Sequence, residues 1–334
     1  MSMTPSGIVK FLDQYVIGQA DAKKVLSVVV YGHLRKMELQ RQANASSSNP
    51  LTLGKSNVLL IGPTGSGKTL LCETLSHAIE VPFVTADATS LAQTKYVNEE
   101  IEVMLMRLLE KAGGDMEKAQ RGIVFIDEID KLKSAGGQAG TSSGESVQHA
   151  LLKIMEGAPV KLAAGMSMDT TNILFICGGA FVGLDKVVSR SHTYGFISLT
   201  DAVNQQILER LNSRIKPTDL ISFGLIPEFT GRLPVVASLQ PLTEALLVRI
   251  MTEPANCLYR QFREVFKSEG VELTIAPKVF SEIASLAVEY KVGARSLRGI
   301  FEEMITPVLY VIPDRRDIRK VAITSLFADA TLIT

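Results

Sequence analysis

The run Gly62-Pro63-Thr64-Gly65-Ser66-Gly67-Lys68-Thr69 directly follows Val58-Leu59-Leu60-Ile61, so a glycine-rich loop stands where an apolar strand hands over to a helix. Few folds accommodate that order. The glycines let the backbone curl with its N–H groups pointing inward at an anion, and the helix that follows adds the positive end of its dipole. The pattern predicts a nucleoside triphosphate site in which Pro63, Thr64, Gly65, Ser66, Gly67 and Leu70 complete the loop. Lys68 reaches the β- and γ-phosphates, and the Thr69 hydroxyl ligates Mg²⁺.

A second apolar strand, Ile123-Val124-Phe125-Ile126, ends in Asp127-Glu128. Two acids at a strand end need a cation or a water. Asp127 suits the holding of Mg²⁺ through a water, and Glu128 suits polarising the water that attacks the γ-phosphate. The chain lacks an Asn/Lys-x-Asp-type loop after another strand that would recognise guanine, so the expected substrate is ATP with Mg²⁺.

Composition agrees with a machine of more than one domain. At 334 residues the chain exceeds the usual single-domain size, and 46% hydrophobic residues supply ample core. Lys plus Arg and Asp plus Glu both number 35, so no general attraction for nucleic acid or membrane follows from charge. Cys72, Cys177 and Cys257 are scattered and read as small core residues of a reducing compartment. The amino terminus Met1 through Gly7 lacks a basic segment followed by an apolar core, and no apolar stretch approaches about 20 residues, so neither a signal peptide nor a membrane span is predicted and the expected location is cytoplasmic.

Along the chain, an amphipathic helix over 21–42 precedes an exposed loop at 44–50. After the phosphate loop come a helix through Ser76, a short strand at 82–84, a helix over about 98–109, the strand 123–126 and a Gly/Ser-rich loop from Ser134 to Gly144. A helix over 147–156 and a strand over 173–176 complete the alternation of a parallel α/β sheet covered on both faces. From Pro241 helices dominate. Thr243 is placed to cap one, others follow over about 255–266 and 278–290, and Arg295 to Tyr310 is expected to be interrupted by Pro307. Short strands at 271–275 and 321–323 close the chain. The expected domains are 1–237, α/β and nucleotide-binding, and 238–334, small and mainly helical.

The order of these pieces resembles the AAA+ ATPases. The blocks Asp13 through Ala20, Gly62 through Thr69, Ile126 through Lys131, Leu174 through Phe181, Phe223 through Phe229 and Gly293-Ala294-Arg295 are similar to those of the ClpX family of protein unfoldases over nearly the whole chain. The related HslU unfoldases carry a large insertion between the two nucleotide motifs for which there is no room here. The resemblance implies that Val16 and Ile17 contact adenine. Arg295 is the sensor cation that reaches the phosphates, and Arg232 is the finger presented to a neighbouring subunit's γ-phosphate. A finger supplied in trans implies a hexameric ring of this chain or of similar subunits.

Several positions depart from the family pattern. No cysteine cluster corresponds to the family's amino-terminal zinc domain. The first pore loop reads Lys95-Tyr96-Val97-Asn98, so Tyr96 and Val97 remain to grip an extended chain, but both flanking glycines are replaced. The second pore loop, between Gly157 and Asn172, is short and lacks a basic triplet. Tyr194-Gly195-Phe196 stands where the family carries the tripeptide that docks on the peptidase ClpP. The expected function is an ATP-driven unfoldase and translocase that delivers unfolded or tagged proteins to a ClpP-type peptidase and has no peptidase activity itself. The alternative is a ClpX-like remodelling or regulatory subunit with weak translocation. A nucleic-acid motor is disfavoured by the zero net charge.

Overall fold

The computed structural model describes residues 3–45, 54–94, 96–133, 143–162, 165–191 and 215–334. Two helices, α1 (Pro5–Leu12) and α2 (Ala20–Ala45), lead into β1 (Val58–Ile61), and α3 (Lys68–Ala78) starts inside the glycine-rich loop. Then follow β2 (Phe83–Asp87), α4 (Ala88–Gln93), α5 (Val97–Lys111), α6 (Met116–Ala119) and β3 (Ile123–Asp127). The helix α7 (Ser143–Glu156) runs into a hairpin of β4 (Pro159–Lys161) and β5 (Ser167–Asp169), and β6 (Leu174–Gly179) returns to the sheet. The short helices α8 (Leu184–Ser191), α9 (Pro217–Phe223) and α10 (Pro227–Gly231) precede β7 (Val235–Ser238).

Among the described residues the main sheet has five strands in the order β2-β3-β6-β1-β7, every pairing parallel. Both faces are covered, as near-continuous apolar strands require. Side chains alternate between two cores. Leu59, Ile61, Val124, Ile126, Phe175 and Cys177 pack toward α4, α5 and α7, while Val58, Leu60, Ile123, Phe125, Leu174 and Ile176 pack toward α1, α2 and α3. All three cysteines are buried and unpaired, and burial pushes the Cys177 thiol up to about 12.

A third apolar cluster draws on residues from Leu247 to Ile323. It joins α11 (Glu244–Thr252), α12 (Leu258–Ser268), α13 (Pro277–Glu289) and α14 (Arg295–Val311) to a small sheet of β8 (Glu272–Ile275), β9 (Lys320–Ile323) and β10 (Thr331–Ile333). Thr243 caps α11, its side chain accepting from the Leu246 amide at 3.3 Å.

One expectation needs correction, and one strand was not anticipated. Pro307 does not interrupt the last long helix: α14 runs through it. The ring faces solvent, while Ile305 and Val308 on either side are buried in the cluster. Packing of both flanks outweighs the lost backbone bond. The strand β7, not foreseen from sequence, pairs with β1 in register Val58 to Val235 and extends the sheet by one edge. No helix among the described residues is long and apolar enough to cross a membrane.

Candidate functional site

The parallel strands β1, β3 and β6 end side by side, and their ends carry the phosphate loop, Asp127-Glu128 and Gly178-Gly179. Gly65 and Gly67 have φ of +77° and +96°, a conformation that costs side chains dearly. A Cβ at Gly67 would enter open space, whereas one at Gly65 would collide with the Val292 carbonyl of the C-terminal part. The Ser66 hydroxyl is buried without a hydrogen-bond partner in the protein. A loop whose backbone amides face an open cradle, with an orphaned hydroxyl beside them, suits a polyphosphate.

Lys68 is buried at the start of α3, its Nζ donating to the carbonyls of Gly62 at 2.8 Å and Pro63 at 3.2 Å. Burial pushes its pKa below the ordinary lysine value, Asp127 pulls it back up, and Arg295 pushes it down further. Lys68, Asp127, Glu128 and Arg295 therefore share one electrostatic neighbourhood. Thr69 and Asp127 line a common cleft of about 510 Å³. A hydroxyl and a carboxylate facing one cleft are hard oxygen donors of the kind Mg²⁺ takes alongside phosphate and water. Leu70, one residue on, is exposed on the first turn of α3.

Glu128 is held in the left-handed region at φ +59°, ψ +30°, with its amide donating to Asp127 Oδ1 at 2.9 Å. Gln19, Phe181 and Lys291, also at positive φ, lie around the same strand ends and loop. Each such conformation costs on the order of 1–3 kcal/mol and gathers where surrounding structure over-determines it. Gln19 joins three segments: its Nε2 donates to the Gln240 carbonyl at 2.9 Å and lies 3.4 Å from the Ser66 carbonyl, and its Oε1 accepts from the Gln240 amide at 2.8 Å. The adjacent Val16 and Ile17 are buried, and the Val16 carbonyl accepts from the buried Lys23 ammonium. Asp130, also buried, accepts from the amides of Ala180 and Phe181 at 3.2 Å each, tying the end of β6 to the turn after β3.

Matches to known families agree with this arrangement. Residues 54–236 match the AAA domain (Cdc48 subfamily), and residues 242–324 match the C-terminal, D2-small domain of ClpB protein. The ATP-dependent Clp protease ATP-binding subunit ClpX 3 of Methylococcus capsulatus is 45% identical over 95% of this chain and 78% of its own length. The chain belongs to the ClpX family. A second member, ClpX of Treponema denticola, is 43% identical over 93% of this chain and 77% of its own length. The chain is thus an AAA+ ATPase with an α/β nucleotide-binding part and a mainly helical C-terminal part.

Other family positions lie apart from the phosphate loop. Arg232 follows α10, exposed, with Nη2 2.6 Å from Glu156 Oε1 at the end of α7. Its backbone is held by Asn57, whose Nδ2 donates to the carbonyls of Arg232 and Met155 at 3.2 Å each and whose Oδ1 accepts from the Phe175 amide at 3.3 Å. His33, Lys55, Glu156 and Arg232 line one cleft of about 290 Å³. Desolvation lowers His33 to about 4 and Lys55 to about 7.

Tyr96 caps the start of α5 with its ring exposed, but Val97 begins that helix and packs partly against the core. Of this pair, only the tyrosine is exposed. Lys95 and Tyr194, Gly195 and Phe196 lie outside the described residues. Sequence reasoning did not single out Gln19, Asn57, Asp130 or Glu156. Gln19 and Asp130 stood inside the family blocks, whereas nothing local distinguished Asn57 or Glu156.

Proposed function

We propose that the chain is the ring-forming ATPase subunit of a ClpXP-like system, unfolding and translocating proteins into a ClpP-type peptidase in the cytoplasm. Residues 1–237 and 238–334 act as its two domains. Both named relatives are ATP-binding subunits of Clp proteases. The observation that carries the reading is the separation of charges: Lys68, Asp127, Glu128 and Arg295 surround the phosphate loop, while Arg232 pairs with Glu156 in a different cleft.

Bound ATP with Mg²⁺ supplies the γ-phosphoryl group and the metal's charge. Lys68 and the loop amides would hold the phosphates, and Thr69 and Asp127 would hold the metal. Glu128, fixed by its left-handed backbone and the hydrogen bond its amide donates to Asp127 Oδ1, orients the attacking water. Val16 and Ile17 wall the adenine side, and Arg295 reports phosphate state from the start of α14. Arg232 completes the site of the adjoining subunit in a hexamer, where a guanidinium stabilises transferring charge.

Mixing subunits tests this. Arg232→Ala and Glu128→Gln chains, each inactive alone, are expected to recover hydrolysis where an intact Glu128 faces an intact Arg232. No recovery in mixed rings verified by mass would remove Arg232 from the trans role.

A second reading, a remodelling subunit with weak translocation, draws on the pore. Tyr96 is exposed without flanking glycines, and the β4–β5 hairpin is short. Degradation of a folded tagged protein with a cognate ClpP separates the two readings. Equal unfolding per ATP by the parent and Tyr96→Ala would favour the second.

A further inference from the structure

Glu156 is an unexpected residue for its place. It is the last residue of α7, where the helix dipole is negative and a carboxylate costs rather than stabilises. The helix itself gives no reason for an acid there. The reason lies across the cleft, where Arg232 Nη2 sits 2.6 Å from Glu156 Oε1.

The backbones beneath the pair are fixed. Asn57 is buried and bonds the Arg232 carbonyl and the Met155 carbonyl together, so the two residues are presented side by side from one anchor. Directly after Glu156, Gly157 turns at φ +98°, where a Cβ would lie 2.9 Å from Thr171. Thr170 then bonds the Ile154 carbonyl at 2.8 Å and the Ala158 amide at 3.0 Å, locking the end of α7 to the base of the hairpin. The side chains differ from this frame, since both are about half exposed. An exposed pair of this kind is worth at most about 1 kcal/mol and is screened by salt. A rigid mount carrying an exchangeable ion pair keeps a guanidinium aimed without holding it tightly.

We propose that Glu156 is a positioning residue for Arg232: it latches the guanidinium in the subunit's own cleft and gives it up to the more highly charged phosphate of a neighbour. The proposal rests on the trans role of Arg232. Its consequence is that part of the finger's attraction for nucleotide is used in breaking the latch, so removing the carboxylate tightens apparent nucleotide binding while leaving the chemical step alone.

The test compares ATP hydrolysis by assembled rings of the parent, Glu156→Gln, Glu156→Asp and Arg232→Ala, at low and high salt. In Glu156→Gln, KM for ATP is expected to fall about two- to fivefold with kcat within twofold, the range an exposed ion pair supplies. Glu156→Asp keeps the charge and is expected to return KM toward the parent. High salt should shrink the difference between parent and Glu156→Gln, which a purely structural role would not do. An unchanged or raised KM in Glu156→Gln, with Arg232→Ala inactive, overturns the latch and leaves the finger standing. Near-normal turnover in Arg232→Ala overturns both.

Discussion

The phosphate-loop end of the sheet and the Arg232 cleft hold their charges in opposite ways. At the first, Lys68 is buried and bonded to two backbone carbonyls, and Glu128 is set by a left-handed backbone and a bond to Asp127. At the second, Arg232 rests on an exposed carboxylate. The groups proposed to act on nucleotide within their own subunit are fixed by backbone, whereas the group proposed to act on another subunit's nucleotide is held by a bond that is easily exchanged. A catalytic group gains from preorganisation, while one that must cross an interface gains from being releasable.

The sharpest break between the two regions is expected in nucleotide binding. Lys68→Ala should abolish binding of a fluorescent ATP analogue, and Glu128→Gln should keep binding but lower phosphate release by about a hundredfold or more. Arg232→Ala should leave binding to the isolated subunit intact. Loss of that binding would mean that Arg232 serves its own phosphate loop.

Acid should weaken the Arg232 side first. His33 lines that cleft, is buried, donates from Nε2 to the Asn172 carbonyl at 3.0 Å, and has its pKa lowered by desolvation from 6.5 to about 4. The folded form therefore keeps the ring neutral while the unfolded chain protonates below about pH 6.5. This contribution to stability is lost as pH falls from there to about 4, by up to ~3 kcal/mol. Urea midpoints against pH should show that slope in the parent, and His33→Gln should flatten it. An equal slope in both proteins would assign the acid sensitivity to other groups.

Smaller effects should distinguish two glycines. A Cβ at Gly179 would sit 2.6 Å from Asp130 Oδ1 and 2.7 Å from the Phe181 ring, so Gly179→Ala should destabilise by about 1–3 kcal/mol. At Gly231, beside Arg232, a Cβ meets nothing within 4 Å, and Gly231→Ala should melt within a few degrees of the parent. Equal melting of the two variants would contradict the tighter packing of the strand ends.

Much of the fold was legible because the central strands are apolar runs bounded by loops. The helices α4 and α6 were missed, being too short to display a 3.6-residue period. The strand β7 was missed because its partner β1 lies far away in the chain. The phosphate loop and Asp127-Glu128 were readable as contiguous motifs that carry their chemistry locally. Arg232 and Arg295 were readable only through resemblance to a family. Asn57 was invisible, since its bond to the Phe175 amide spans 118 residues and no local pattern announces it. Glu156 was invisible for a related reason: its partner is chosen by tertiary structure.

The contact between Gly65 and Gly293 has a mechanical consequence. A Cβ at Gly293 would lie 3.1 Å from the Thr64 carbonyl, and the Ala294 amide reaches the Gly65 carbonyl at 3.3 Å, so peptide planes touch with no side chain between them. Interdigitated side chains can yield by changing rotamers, but two bare backbones have no such compliance. The joint between the phosphate loop and the start of α14 therefore behaves as a stop rather than a spring: a shift of the loop by a few tenths of an ångström must either be passed on whole or break the contact.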